Sequence, residues 1–487
     1  MAGAVLAFRL PSLLEPQWYS DDGFFSAVAW ASSKGVTLYA GIFDNSPPMI
    51  YWLYRLLFLF GGRANHAVVQ VAAAVAVVTA TMLTLEIGRR LGMTTRQVAL
   101  AALLTGLALS LPTLDGDVVN VEVAALPFFL AALLLSRSSR AWGPFAAGAL
   151  LAVALATRPS YALDGLAMAV PLLTAPDRVR RFLMTAAGGA SVALLVALAL
   201  AIEGSLPAYL NLVLPADRAY LIWANGGSSF PVLARLTVFG AISVAAFMRA
   251  RTPAGRLLAI WLPASLAGAS LTPRGFTHYG HEAIPPLALG IAMLASAIRP
   301  RLLGSAAAAV ALLISVELLL FLPAQQNAAM EGTRAPDPFA RAFPYRDLPA
   351  YYGNWFLYVT GIESREHYEA SFPGFVHDSA EVRFIEAHGL DGDRVLVLGD
   401  RPWVYVRSGH LPAGRFLATN TAFWRVPTAP AELRRTLEQG CAAIVLYDSG
   451  PGDWHNSLRA GGYREVTGAL PPAYLLDKDN AVSYCNG

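Results

Sequence analysis

Two adjacent carboxylates, Asp21 and Asp22 in WYSDDGFF, stand near the start of a chain that is otherwise mostly apolar. Other polar residues gather at a few places: Asp44 and Asn45; Asp115, Asp117, Asn120 and Glu122 in TLDGDVVNVE; Arg158 in ATRPSYAL; Asp217 and Arg218. A last group, Arg274, His278, Tyr279 and His281, lies in TPRGFTHYGHEAIPP. Carboxylates and cations together suit a site that binds a phosphate and moves a proton. Arginine holds phosphate by charge-assisted bonds, and a carboxylate can take the proton from an attacking hydroxyl. Each residue also has an ordinary reading. An acidic pair often serves as a helix cap or a solvated turn, and Asp115-Gly116-Asp117 has the composition of a turn. Glu122 suits the first turn of a helix, Arg158 can snorkel, and His281 can pair with Glu282. His278 and His281 are spaced i, i+3 without a clear third ligand, so no metal site is expected there. No cofactor is expected as essential, although a divalent cation is compatible with the carboxylates.

The elements that position these residues follow from composition. Hydrophobic residues make up 55% and charged residues 14%, against about 25% charged in a soluble domain. Mean hydropathy is +0.48. The charge deficit is concentrated before residue 323, so residues 1–322 read as a polytopic membrane domain and 323–487 as a soluble one. A net charge of +3 is too small to imply nucleic acid. Both cysteines, Cys441 and Cys485, fall in the soluble part and can pair if it faces an oxidising compartment. MAGAVLAFRLPSLLEP is too short to span a bilayer and lacks a cleavage site, so either the first helix is short or the chain begins downstream of its natural start.

Arginines punctuate the apolar runs at 89, 90 and 96, at 137 and 140, at 178, 180 and 181, at 249, 251 and 256, and at 299 and 301. Positive charge in short loops marks the cytoplasmic side. Between these clusters lie apolar runs at 66–88, 97–113, 118–135, 142–158, 160–175, 181–202, 231–249, 257–272, 282–298 and 302–322. With a first helix this predicts about 11 transmembrane helices. Alternating sides along the chain puts the first loop, 16–65, and the C-terminal domain outside. PPMIYWLYRLLFLFG would break the alternation if it crossed, so it is expected to lie in the interface with Tyr51, Trp52 and Tyr54 at headgroup depth. The polar groups gathered above then share the outer face.

The order of Asp21-Asp22-Gly23, Gly35-Val36-Thr37-Leu38-Tyr39, Phe43-Asp44-Asn45-Ser46-Pro47-Pro48, Asn120-Val121-Glu122 and His278-Tyr279 with Pro285-Pro286 resembles the GT-C glycosyltransferases. It is most similar to the protein O-mannosyltransferase and lipid A aminoarabinose transferase superfamily. The resemblance covers most of residues 16–300, and VLVLGDRPWVYVRSGHLPAGRF resembles a C-terminal segment of bacterial members. It implies transfer of a sugar from a polyprenyl phosphate, with inversion, to an acceptor hydroxyl outside a bacterial inner membrane. Asp21 matches the family's aspartate and Asp22 its usual glutamate, so Asp21, with Asp22 close behind, is the expected base. Arg158, Arg274 and His278 are expected to hold the lipid phosphate, with Tyr39, Asp44, Asn45, Glu122 and Tyr279 around the substrates. Ser46 stands where some members carry a phosphate-binding lysine. The expected partners are thus a polyprenyl-phosphate sugar, an extracytoplasmic acceptor and membrane lipid. The same groups could serve a transporter or flippase, or a non-catalytic binding protein, for polyprenyl-linked saccharides; internal repeats, common in transporters, are not evident.

In the soluble domain, 380–388 and 430–440 read as helices and 394–399 and 441–447 as strands. That alternation predicts a small parallel sheet. It carries no G-x-G-x-x-G, so nucleotide binding is not expected.

Overall fold

The computed structural model describes residues 2–62, 65–272, 277–295, 348–419, 422, 425–448, 454–469 and 471–477. Helix α1 (Ala2–Arg9) leads through a 3-10 turn to α2 (Ser20–Ser33), the helix that carries the acidic pair. Then come α3 (Pro48–Gly61), α4 (His66–Arg90), α5 (Thr95–Ala108), α6 (Val121–Ser136) and α7 (Gly143–Thr157). Local chemistry sets their starts. Asn65 accepts from the Ala67 amide at the head of α4, Thr94 and Gln97 form a reciprocal capping box on α5, and Asn120 accepts from the Val123 amide on α6. Helices Arg178–Ile202, Phe230–Arg249, Pro253–Ala269 and Ile284–Ala295 complete the described membrane part.

Among the described residues, α4, Arg178–Ile202 and Phe230–Arg249 are long and apolar enough to cross a membrane. Others are shorter: α5 has 14 residues, a rise of about 21 Å, below the roughly 30 Å of a bilayer core. The fold class is a polytopic helical membrane protein with a small C-terminal sheet. Helix α7 and Arg178–Ile202 touch backbone to backbone through Gly148 and Gly188, where a Cβ on either would strike a carbonyl of the other helix. Small residues at such crossings let helices pack closely in a membrane.

Several local expectations change. The run 160–175 is not one helix but Tyr161–Asp164, a 3-10 turn Gly165–Met168, and Ala169–Thr174. Segment 203–230, which the alternation of apolar runs leaves as a loop, is largely helical, with Leu206–Ala208, a π turn Tyr209–Val213, and Leu214–Ala224. In α3 it is Leu59 and Phe60 that are exposed, while Tyr51 and Tyr54 are fully buried. Both tyrosines point inward because the carboxylates of Asp44 and Asp22 accept from their hydroxyls. The run 302–322, the arginines at 299 and 301, Cys485 and the expected domain boundary at 322/323 lie outside the described residues.

The C-terminal sheet has order β1-β2-β4-β3, with β1 Val395–Leu398, β2 Ile444–Tyr447, β3 Tyr463–Val466 and β4 Ala473–Leu476. Only β1 and β2 are parallel; β4 runs antiparallel to both neighbours. The purely parallel expectation fails because β3 and β4 are joined by a short hairpin connection, which forces an antiparallel pair. Helix Pro373–His388 extends further back than expected, and Ala429–Glu438 falls as expected.

This unit docks directly on α2 and the first loop. Trp403 donates its indole N–H to the Tyr19 carbonyl at 2.8 Å. Gly23 receives the docking, since a Cβ there would lie 2.8 Å from both Pro402 and Trp403. The Phe43 amide donates to the Arg415 carbonyl at 2.7 Å, and the rings of Phe43 and Phe416 meet edge to face at 5.7 Å. One apolar core therefore runs from α2 and α3 into the sheet. Gly23→Val should cost about 1–3 kcal/mol through overpacking, measured as a lower melting temperature in detergent and faster proteolysis of the C-terminal unit. Wild-type behaviour of that variant would mean the contact is incidental.

Candidate active site

Neighbouring residues of a helix point about 100° apart, so Asp21 and Asp22 cannot share one environment. Asp22 faces inward with its side chain 1% exposed. Tyr54 donates to one of its carboxylate oxygens, and His66 Nε2 stands 2.7 Å from the other. His66 is held in turn by the Glu15 carbonyl and Gln70, each at 3.2 Å. Asp22 is thus the centre of a buried polar network that ties α2 to α3 and α4.

Asp21 faces the other way, with 39% of its side chain exposed, 3.8 Å from His278 Nε2. Desolvation by its surroundings pushes the Asp21 carboxyl up to about 6, against the pull of His278. The His278 imidazole lies between two carboxylates, with Nδ1 at 3.2 Å from Asp115 Oδ2. The Tyr19 hydroxyl is also 3.2 Å from that nitrogen. Burial opposes the imidazolium, but Glu122, Asp115 and Asp21 together keep the His278 pKa above its ordinary value. Asp115, read from the sequence as a loop residue, belongs to the site; its left-handed backbone, φ 54°, turns the loop toward His278. Asp117 is buried, and Arg9 donates to its carbonyl at 3.3 Å.

Arg158 follows α7 with its side chain 13% exposed and lies between Glu122 and Glu282, its Nε 3.4 Å from the latter. The same nitrogen donates to Ser160 at 2.8 Å, and Ser160 donates to Glu282 at 2.7 Å. The guanidinium also covers the Tyr279 ring at 5.1 Å. Both carboxylates hold the Arg158 guanidinium in buried ion pairs, which fix its position. Glu282 does not pair with His281, which instead reaches the Leu114 carbonyl at 2.7 Å. The room for its carboxylate is provided by Gly268, where a Cβ would collide with Oε1.

A second strand of contacts carries the site to the C-terminal unit. The Tyr279 hydroxyl is 3.3 Å from that of Tyr220, and Arg425 stacks over the Tyr220 ring at 3.9 Å. Arg425 donates to Asn45, and Asn45 donates to Asp217 at 2.8 Å. Burial raises the Asp217 carboxyl to about 6 as well. Tyr39, at φ 62°, donates to the Ser46 carbonyl at 2.9 Å and packs on Tyr209 at 5.5 Å. Tyr209 in turn lines an almost wholly apolar cavity of 750 Å³ walled by residues such as Leu151, Leu155, Phe182, Val196 and Leu200.

The sequence-predicted residues therefore divide. Asp21, Glu122, Arg158, His278 and Tyr279 form one cluster, and Asp44, Asn45 and Tyr39 adjoin it through Arg425 and Tyr209. Asp22 is near in sequence but enclosed. Arg274 lies outside the described residues. Sequence reasoning missed His66, Tyr54 and Arg425. His66 opens a helix and Tyr54 sits in an apolar run, so neither has a local signature, and Arg425 arrives from a domain some 380 positions away.

Comparison with known proteins agrees with this architecture. Residues 45–203 match the family model described as dolichyl-phosphate-mannose-protein mannosyltransferase. The crystal structure of ArnT from Cupriavidus metallidurans bound to undecaprenyl phosphate superposes with a TM-score of 0.59 at 14% identity, over 99% of this chain and 98% of that one. Its apo form gives 0.57 at 16% identity with the same coverage. No curated protein matches the sequence. The chain has the ArnT-like GT-C fold that the sequence motifs suggested.

The two aspartates should respond differently to amidation. Asp22→Asn should lose about 1–3 kcal/mol of stability by breaking a satisfied buried network. Asp21→Asn should leave the melting temperature at pH 7.5 unchanged or higher. A carboxyl whose folded pKa is raised disfavours the fold once ionised, and the amide removes that cost. Equal destabilisation by both would contradict their opposite orientation.

Proposed function

We propose that this chain is an integral membrane glycosyltransferase. It would move a sugar from a polyprenyl phosphate to an acceptor hydroxyl on the extracytoplasmic side of a bacterial inner membrane. The observation that carries the proposal is Asp21: a solvent-reachable carboxylate with a pKa near 6, facing His278 in a cluster that adjoins an apolar cavity. The family match over 45–203 and the ArnT-like fold support the class of reaction. Cys441 is disulfide-bonded, which suits an oxidising compartment for the C-terminal unit and agrees with the arginine pattern of the loops.

In this reading the prenyl chain lies in the cavity beside Tyr209, and the phosphate meets His278, Arg425 and Arg274. Arg158 acts at one remove, fixing Glu122, Glu282 and Tyr279. The acceptor oxygen attacks the anomeric carbon as its proton passes to Asp21. The bond from that carbon to the phosphate oxygen breaks, and polyprenyl phosphate leaves with the electron pair. Attack opposite the leaving group inverts the anomeric centre. A pKa near 6 leaves Asp21 ionised at neutral pH yet basic enough to help. The acceptor is a glycan, a lipid-linked saccharide or a protein.

Purified protein assayed with a panel of polyprenyl-phosphate sugars should give a covalent product, where a transporter or binding protein would give none. Asp21→Asn should reduce turnover by about 10²–10⁴-fold with donor binding retained; full activity in that variant removes Asp21 as the base. Because the base must be unprotonated, wild-type kcat/KM should fall as pH drops below about 6, approaching tenfold per unit. A flat profile from pH 5 to 7 would contradict the assignment.

A further inference from the structure

The C-terminal unit holds a second cluster of titratable groups that the proposed reaction does not use. His377 and Glu381 lie four residues apart on one face of helix Pro373–His388. Asp448 follows directly after β2. One ligand atom from each of these residues comes within 4.8 Å of the others. His377 Nε2 is 3.1 Å from Asp448 Oδ1, and His377 Nδ1 is 4.0 Å from Glu381 Oε1. Gly399 makes the room, since a Cβ there would lie 2.9 Å from the Asp448 side chain.

Glu381 is the unusual member. It is 0% exposed, and neither of its carboxylate oxygens has a hydrogen-bond partner. A buried carboxylate without hydrogen bonds or a counter-charge is costly, and Arg401, the cation in this cluster, bonds Asp448 at 3.1 Å instead. Asp378, 3.6 Å from Arg401, adds another acid.

We propose that His377, Glu381 and Asp448 bind a divalent transition-metal ion of the zinc type. One imidazole with two carboxylates is a nitrogen-and-oxygen set that favours zinc over calcium or magnesium, which prefer all-oxygen shells. Tetrahedral ligands about 2 Å from zinc stand roughly 3.4 Å apart, so the three side chains need to close by about an ångström. Arg401 orients Asp448 from behind, as outer-shell donors do in metal sites. The fourth position is left to water, reachable past the half-exposed His377. Arg401 also immediately precedes helix Pro402–Ser408, whose Trp403 packs on α2. The ion thus braces the seat of the acidic helix without touching its chemistry.

The test uses full-length protein in detergent, stripped with chelator and returned to Zn²⁺, Mn²⁺, Ca²⁺ or Mg²⁺. Bound metal is counted by mass spectrometry and stability followed by melting. Zinc should bind at this site and raise the melting temperature by roughly 2–4 °C or more, with calcium and magnesium giving little. Glu381→Gln and His377→Ala should each weaken zinc binding at least tenfold and abolish the shift. His377 is partly exposed, so its variant folds independently of the buried glutamate and carries the test if the other is unstable. No zinc-induced shift in the wild type, a shift of equal size from calcium, or undiminished zinc binding in His377→Ala would overturn the proposal. None of these readouts depends on transferase activity, so the metal site and the proposed reaction stand or fall separately.

Discussion

The site depends on the rotation of one short helix about its own axis. Helix α2 carries two adjacent acids, and the helical geometry requires one to face the core when the other faces out. Trp403 and Pro402 press on Gly23 from one side, while Tyr54 and His66 hold Asp22 from the other. Together they fix which acid is which. A glycine between the pair and the apolar rest of the helix lets a tryptophan of a different domain reach the backbone at Tyr19. Without that close approach the helix would lack its outer wall.

Electrostatics adds a second constraint. The cluster beside Asp21 is rich in carboxylates, and the cation expected to cradle a phosphate, Arg158, is already held by Glu122 and Glu282. An ion group that is buried and hydrogen-bonded fixes geometry more than it attracts a ligand, because its charges are mutually compensated. His278, whose pKa its acidic neighbours raise, and Arg425, delivered by the C-terminal unit, stand beside that group. The C-terminal unit therefore borders this cluster as well as supporting the helix that carries Asp21.

Much of this was legible in the chain. Loop arginines and apolar runs predicted a polytopic membrane domain followed by an α/β unit, and the motif order around Asp21, Asp44 and His278 pointed to residues that do converge. The details that escaped share one cause: they are set by contacts between distant segments. Tyr51 and Tyr54 look like interfacial aromatics, and only the carboxylates of Asp44 and Asp22 on other elements turn them inward. Asp115 has the composition of a turn residue, and the approach of His278 from a distant segment brings it into the site. The helical pieces between Leu206 and Ala224 were hidden because the prolines and polar residues there resemble a loop. The sheet was mixed, not parallel, because strand order is decided by a hairpin that periodicity alone does not reveal.

The most direct test is a structure of the protein in lipid with a polyprenyl-phosphate donor bound. The expected result places the phosphate beside His278 and Arg425, the anomeric carbon on the open side of Asp21, and the prenyl chain along the Leu155 and Leu200 wall. A headgroup bound at the opposite membrane face, or one whose reacting carbon is shielded from Asp21, would contradict the account.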